Sequence, residues 1–397
     1  VNDFAYLSTF GLPLGNTYVF NNNYQSSTIP LTISNPDLKW ETTAQLNAGI
    51  DLSFFRNRLS LTADIYKKKT NDLLLNAAMP TSTGYTAAYK NIGSMQNQGL
   101  ELTINAVPVQ RKNFTWNTSF NISFNQSKVL SLTEGQEAIT SAIAWDNNWS
   151  SLPAYISKIG MPLGNMYGYI WDGVYQYSDF NKTTNGTYIL KDNMPTNGNT
   201  RGNIKPGDIR YRDLNGDGVV NASDYTVIGR GLPIHTGGFN NSFTYKQFDL
   251  NVFFQWSYGN DLLNVNRLLF EGNIFNRTYF NQFASYEKRW TPTNTSTDLY
   301  RTNGFYGGGY SSRTVEDGSF LRLKTLALGY SLPASLLKRA KINRLRLYAA
   351  AQNVFTWTKY SGMDPEVNTY NSVLTPGFDY SAYPRARTIT FGANVSF

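Results

Sequence analysis

Nine segments of this chain alternate strictly between apolar and small polar residues, and the connections between them alternate between short and long. The last segment, Arg387–Phe397, is the simplest to read. Ile389, Phe391, Ala393, Val395 and Phe397 share one face, and Thr388, Thr390, Gly392, Asn394 and Ser396 share the other. A period of two is the signature of a strand with unlike faces, and about ten residues is the length a tilted strand needs to cross a bilayer. A soluble sandwich strand can alternate in the same way, so the decision rests on whether the pattern repeats.

It does. Strands are expected at about 42–54, 59–66, 100–106, 114–125, 236–246, 247–258, 320–333, 344–357 and 387–397. In the seventh, the apolar phase moves from Leu321 and Leu323 to Leu326 and Leu328, which predicts a bulge. Short connections follow the odd-numbered strands; long ones, at about 67–91, 126–234, 259–319 and 358–386, follow the even-numbered strands. A transmembrane antiparallel up-and-down β-barrel, with short periplasmic turns and long outer loops, keeps this rhythm. A Greek-key sandwich has no reason to. The fold class is therefore all-β, with residues 1–41 an extracellular loop segment rich in Asn, Ser, Thr and Pro, and 42–397 the barrel. Nine is odd, whereas single-chain bacterial barrels have even strand numbers, so the chain is expected to be the C-terminal part of a larger barrel.

Composition agrees. Only 16% of residues are charged and 15% are aromatic, and mean hydropathy is -0.38, as alternation requires when half of each strand is polar. With no cysteine, thiol catalysis and disulfides are excluded. The single His235 argues against His-based catalysis and zinc. The net charge of +8 is dispersed, Lys67-Lys68-Lys69 being the one dense run, and it lacks the interleaved aromatics of a nucleic-acid module. Asp51, Asp64 and Glu101 fall in the polar phase and line the interior, so no catalytic pair is assigned.

Two stretches of the long 126–234 connection carry chemistry. Asp213, Asn215 and Asp217, followed by Gly218, fit a calcium-loop template, with Val219 offering its carbonyl, Asn221 a side-chain oxygen and Asp224 the place usually held by Glu. The expectation is a structural calcium; the alternative is an Asp/Asn/Gly turn without an ion. The same connection holds Trp145, Trp149, Tyr167, Trp171 and Tyr175, candidates for stacking on a sugar or peptide, or for stiffening the loop.

The sequence resembles the C-terminal barrel portion of SusC/RagA-type TonB-dependent transporters. The resemblance rests on N-P-D-L-K-W-E (35–41), R-L-S-L-T-A-D-I-Y-K-K-K-T-N-D-L-L (58–74), N-I-G-S-M-Q-N-Q-G-L-E-L (91–102), G-D-I-R-Y-R-D-L-N-G-D-G-V-V-N (207–221), S-F-L-R-L-K-T-L-A-L-G-Y-S-L-P (319–333) and A-Q-N-V-F-T-W-T-K-Y-S-G-M-D-P-E (351–366). It implies an outer-membrane importer of about 22 strands, plugged and energised by the TonB complex through a region upstream of Val1. It also implies a SusD-like surface lipoprotein partner, an oligosaccharide substrate ahead of a peptide, and contact with membrane lipid. Phe397 resembles the signal read by the barrel assembly machinery. The alternatives from other classes are a non-transporting receptor or adhesin, and a surface enzyme.

Overall fold

The computed structural model describes residues 6–11, 17–26, 28–78, 85, 87–132, 135–272, 279–305, 308–338, 341–370 and 372–397. Nine long strands form one antiparallel sheet in strict chain order: β1 Thr42–Phe54, β2 Leu59–Asn71, β3 Ser94–Arg111, β4 Phe114–Ser131, β5 His235–Tyr245, β6 Phe248–Tyr258, β7 Phe320–Ser331, β8 Arg344–Thr358 and β9 Thr388–Ser396. Each pairs with its predecessor and successor in the chain, the up-and-down topology expected from the alternation. The sheet is open, with β1 and β9 at its edges.

Register turns the alternation into two unlike surfaces. One row reads Leu52, Leu61, Ile104, Phe120, Phe239, Phe254, Leu323 and Phe355 across eight strands. The row beside it, on the opposite face, reads Asp51, Thr62, Thr103, Asn121, Gly238, Gln255, Arg322 and Thr356. The apolar face is uncovered by protein: Leu46 is 74% and Phe391 78% exposed. In water such a surface would be strongly unfavourable, whereas in a bilayer it meets hydrocarbon. From Phe114 to Phe124 the apolar face covers ten residue steps, ~33 Å of strand, or ~25 Å of height at a tilt near 40°. Aromatic pairs mark both margins: Phe248 with Tyr330 near the short turns, His235 with Tyr258 near the long connections. His235 is thus a rim residue, stacked on Tyr258 at 5.0 Å and accepting from Trp256 Nε1 at 3.1 Å.

The predicted bulge is present, as a register shift between Leu323 and Thr325 against both neighbours. Other details differ from expectation. β2 runs on to Asn71, and the expected 67–91 loop continues as a hairpin, Leu74–Ala78 with Ala87–Asn91. β3 and β4 extend well past their apolar stretches, to Ser94 and Ser131, because their ladder continues where side chains turn polar. Within 1–41, where residues 1–5, 12–16 and 27 lie outside the described set, short pairings replace plain loop: Phe10–Gly11 with Ile29–Pro30, and Thr17–Phe20 with Asn23–Ser26. The 35–41 motif fastens to the 74–91 hairpin: Asn35 donates to Tyr89 O at 2.9 Å, Lys39 N to Asn91 Oδ1 at 2.8 Å, and Leu74 N to Glu41 Oε1 at 2.8 Å.

The long connections after β4, β6 and β8 do not behave as separate loops. A four-stranded sheet (Ala138–Ala142, Pro153–Lys158, Asn165–Gly168, Thr226–Arg230) lies within the first. A three-stranded sheet takes Asp261–Asn264 and Val315–Asp317 from the second and Phe378–Asp379 from the third. Their shared core joins Trp145 and Trp149 to Phe305 and Tyr310, and to Phe378.

Candidate functional site

The inward-facing side chains of β4–β6 and the connection after β8 border an open pocket of about 660 Å³, lined by the polar Asn121, Thr236, Gln255, Ser257, Glu366 and Asn368 and by the apolar Phe253, Phe320 and Val367. Strand parity puts Asn121, Thr236, Gln255 and Ser257 there: each lies on the polar phase, one residue out of step with the apolar face. Amide and hydroxyl groups with a single carboxylate can donate to and accept from a polar solute without fixing its charge.

One wall of this cavity is held by ion pairs. Arg322 points inward from β7 and is 2% exposed. It donates to Thr356 Oγ1 at 2.9 Å, to Glu366 Oε2 at 3.0 Å and to Asp364. Arg385 also reaches Glu366, at 3.0 Å. Burial raises the Asp364 carboxyl, but amide hydrogen bonds from Glu366 and Arg385 and the Arg322 guanidinium outweigh it and hold the group below the ordinary range. The buried guanidinium thus has Asp364 held as its anionic partner, and the 358–386 connection is clamped to the wall. Sequence reasoning did not single out Arg322; its signal was a charge in a strand whose other polar-phase residues are nearly all uncharged.

A second cavity, about 650 Å³, lies between connections, bordered by Trp171, Arg267, Glu271, Lys288, Thr297 and Arg313. Glu271 accepts from Arg313 Nη2 at 2.6 Å and Arg267 Nε at 3.1 Å.

The five aromatics read as candidate ligand contacts or loop stiffeners separate into two groups. Trp145 and Trp149 are core: their rings lie 5.8 Å apart, Trp145 Nε1 donates to Tyr310 OH at 2.7 Å, and Trp149 meets Tyr310 at 4.8 Å. Tyr175 is fully buried in a smaller cluster with Phe180, Leu190 and Ile204, its hydroxyl donating to Pro195 O at 2.7 Å. These three are buried and stiffen the connections in this structure, the second of the two roles the sequence offered: an aromatic ring in a long connection gains most by covering another connection's apolar side chains. Tyr167 and Trp171 are half-buried, and Trp171 borders the second cavity.

The 213–224 loop is organised by its own amides. Asp213 accepts from Gly216 N and Gly218 N, both at 2.7 Å. Asp217 accepts from Val219 N at 2.8 Å and Asn215 Nδ2 at 3.0 Å. Asp224, fully buried, accepts from Leu214 N and Asn221 N, both at 2.8 Å, while Asn221 Oδ1 takes Ser223 N. Gly218 has φ +81°, the turn expected of it. Each carboxylate thus has backbone or amide donors, and among the described residues no group of three or more His, Cys, Asp or Glu is placed to hold a metal ion.

Phe397 follows β9 with its side chain 84% exposed, in phase with the apolar face. Asp51, Asp64 and Glu101 lie on the polar face as expected; Thr62 donates to Asp51 at 2.6 Å.

The family described as TonB dependent receptor-like, beta-barrel matches residues 4–229, over half of the chain. TonB-dependent receptor P3 of Formosa agariphila is 37% identical over 96% of this chain and 36% of its own length. TonB-dependent receptor SusC of Bacteroides thetaiotaomicron is 30% identical over 100% of this chain and 36% of its own. Among solved structures, the RagAB peptide transporter superposes with a TM-score of 0.77 at 26% identity, over 100% of this chain and 39% of that one. The chain spans little more than a third of the length of these curated relatives. Its lipid-facing sheet, polar inner face and family match together establish that it belongs to the TonB-dependent receptor-like β-barrel family of the outer membrane.

Proposed function

We propose that the intact protein imports a polar nutrient across the outer membrane, energised through TonB, and that this chain supplies part of its barrel wall and outer chamber. The observation that carries the reading is the open pocket of amide, hydroxyl and aromatic side chains at the long-connection end, with a lipid-facing surface behind it and a clamped connection beside it. The long connections face outward, the short turns the periplasm, and a SusD-like lipoprotein closes over the co-folded connections. The relatives' resemblance to importers, not hydrolases, supports transport over catalysis.

Oligosaccharide is the preferred substrate class, supported by the uncharged amides and hydroxyls of Asn121, Thr236, Gln255 and Ser257. Peptide is the second reading, favoured by the likeness to a solved peptide transporter. Uptake of labelled oligosaccharide and peptide pools by cells carrying the full-length protein tests both. Oligosaccharide accumulation that stops when the TonB complex is removed is the expected result. Peptide accumulation instead would replace the substrate, and binding without accumulation would leave a surface receptor.

Calcium on the 213–224 loop belongs to this reading on donor spacing alone. Each carboxylate oxygen of Asp213, Asp217 and Asp224 that accepts an amide retains a further lone pair for an ion. Calcium is expected to protect residues 205–230 from protease, and Asp217→Ala to abolish that protection; cleavage that ignores both calcium and chelator would reject the ion. Phe397, in phase with the lipid face at the short-turn rim, is read as the contact for the barrel assembly machinery.

A further inference from the structure

On the apolar face, the strands' side chains turn cationic directly above the hydrocarbon band. The row Ile65, Leu100, Phe124 is the band's last on β2–β4. The next row in the same phase is Lys67, Gln98, Gln126, and the one above it Lys69, Gln96, Lys128. Lys67, Lys69 and Lys128 are exposed, and among the described residues none has a carboxylate partner. The four carboxylates on the nine strands, Asp51, Asp64, Glu101 and Asp249, all lie in the opposite phase. Between the lysines the glutamines brace one another: Gln96 Nε2 donates to Gln98 Oε1 at 3.1 Å, and Gln98 Nε2 to Gln126 Oε1 at 3.2 Å.

We infer that Lys67, Lys69 and Lys128 form a docking patch for phosphate-bearing lipid headgroups of the leaflet on the long-connection side. Height selects the partner. Two and four residues beyond the band correspond to ~5 and ~10 Å above the hydrocarbon, the depth of headgroups, on a wall whose lower part is already in lipid. Spacing agrees. Lys67 and Lys69 are ~7 Å apart along one strand, and Lys69 and Lys128 stand two strand widths, ~10 Å, apart, so their ammonium groups can share one or two phosphates while their stems lie along apolar surface. Position within the Lys67-Lys68-Lys69 run is decisive: Lys68, in the polar phase opposite Gln45 and Asn97, faces the lumen and takes no part.

The whole transporter, extracted in detergent and placed in phosphatidylcholine nanodiscs doped with phosphatidylglycerol or bisphosphorylated lipid A, tests this by native mass spectrometry of retained lipid. The Lys67→Gln/Lys69→Gln/Lys128→Gln variant is expected to retain at least ~10-fold less anionic lipid at low salt, with phosphatidylcholine unchanged and the three-arginine variant close to wild type. Lys68→Gln is expected to behave as wild type. Undiminished anionic lipid on the triple variant, an equal loss with Lys68→Gln, or complete displacement by inorganic phosphate would overturn the assignment. Should the triple variant fail to assemble, Lys128→Gln gives the same readout as a loss of a few fold. Substrate uptake is a separate measurement, so failure of the import reading leaves this result interpretable.

Discussion

Asp208 illustrates how single residues set the character of the folded connections. It is 2% exposed, accepts from Lys205 N at 2.7 Å, and has Arg301 Nε 2.7 Å from its Oδ1, off line for a hydrogen bond, so the contact is an ion pair only. Burial pushes its carboxyl up to about 6, against the pull of Arg301. A folded value above the ordinary 3.8 means that the native state holds the proton more tightly. The stabilisation is full below the unfolded value and is lost as pH rises towards 6. About two pH units correspond to ~3 kcal/mol at most. Asp208→Asn keeps the acceptor for Lys205 N and removes the charge. It is expected to flatten the fall in thermal stability between pH 4 and 7; an unchanged slope would place that pH dependence elsewhere. Asp208 was not legible in the sequence, since its proton affinity comes from burial under the folded connections, opposed by Arg301, which is remote along the chain.

At the scale of the element, the alternation itself carried the reading. Each strand's phase, the bulge after Leu323, and the inward placement of Asp51, Asp64 and Glu101 follow from a period of two. Strand ends were less legible. β3 and β4 continue past Leu100 and Phe124 because backbone pairing persists after the apolar face ends, and side-chain pattern cannot report pairing. The face assignment has a direct check at Ile122, which lies between Leu102 and Gly237. Gly237 is required there because Trp256 lies over it: an added Cβ would fall 2.2 Å from the indole. Phe120 stacks on the same indole at 5.5 Å. Ile122→Arg would place a charge in this aromatic surface one row inside the band's outer margin, at a cost of ~1–2 kcal/mol, less than at mid-depth. Reduced heat-modifiable, membrane-inserted protein is expected, with a marked deficit relative to Asn121→Arg on the polar face. Equal assembly of the two variants would reverse inside and outside.

At the scale of the whole molecule, the connections form a second structured layer above the wall, and this was the least legible part. Trp145 and Trp149 stayed open between ligand stacking and loop stiffening because the sequence gives no hint that residues more than 150 positions away, Phe305, Tyr310 and Phe378, complete their environment. Backbone bonds stitch the same three connections: Tyr169 N to Tyr310 O at 2.9 Å, Ser312 N to Tyr169 O at 3.0 Å, and Leu263 N to Gly377 O at 2.8 Å. A core assembled from three connections should loosen as one cooperative unit, since each contributes apolar surface that the others bury. Trp149, 1% exposed at its centre, is the place to test this. Trp149→Ala is expected to destabilise the layer by ~3–5 kcal/mol. Limited proteolysis should then cut the connections after β4, β6 and β8 together, while the wall stays intact. Cleavage confined to the first connection would mean that the three fold separately. In that case the outer chamber is a set of independent flaps, and a partner closing over it would have to order each one.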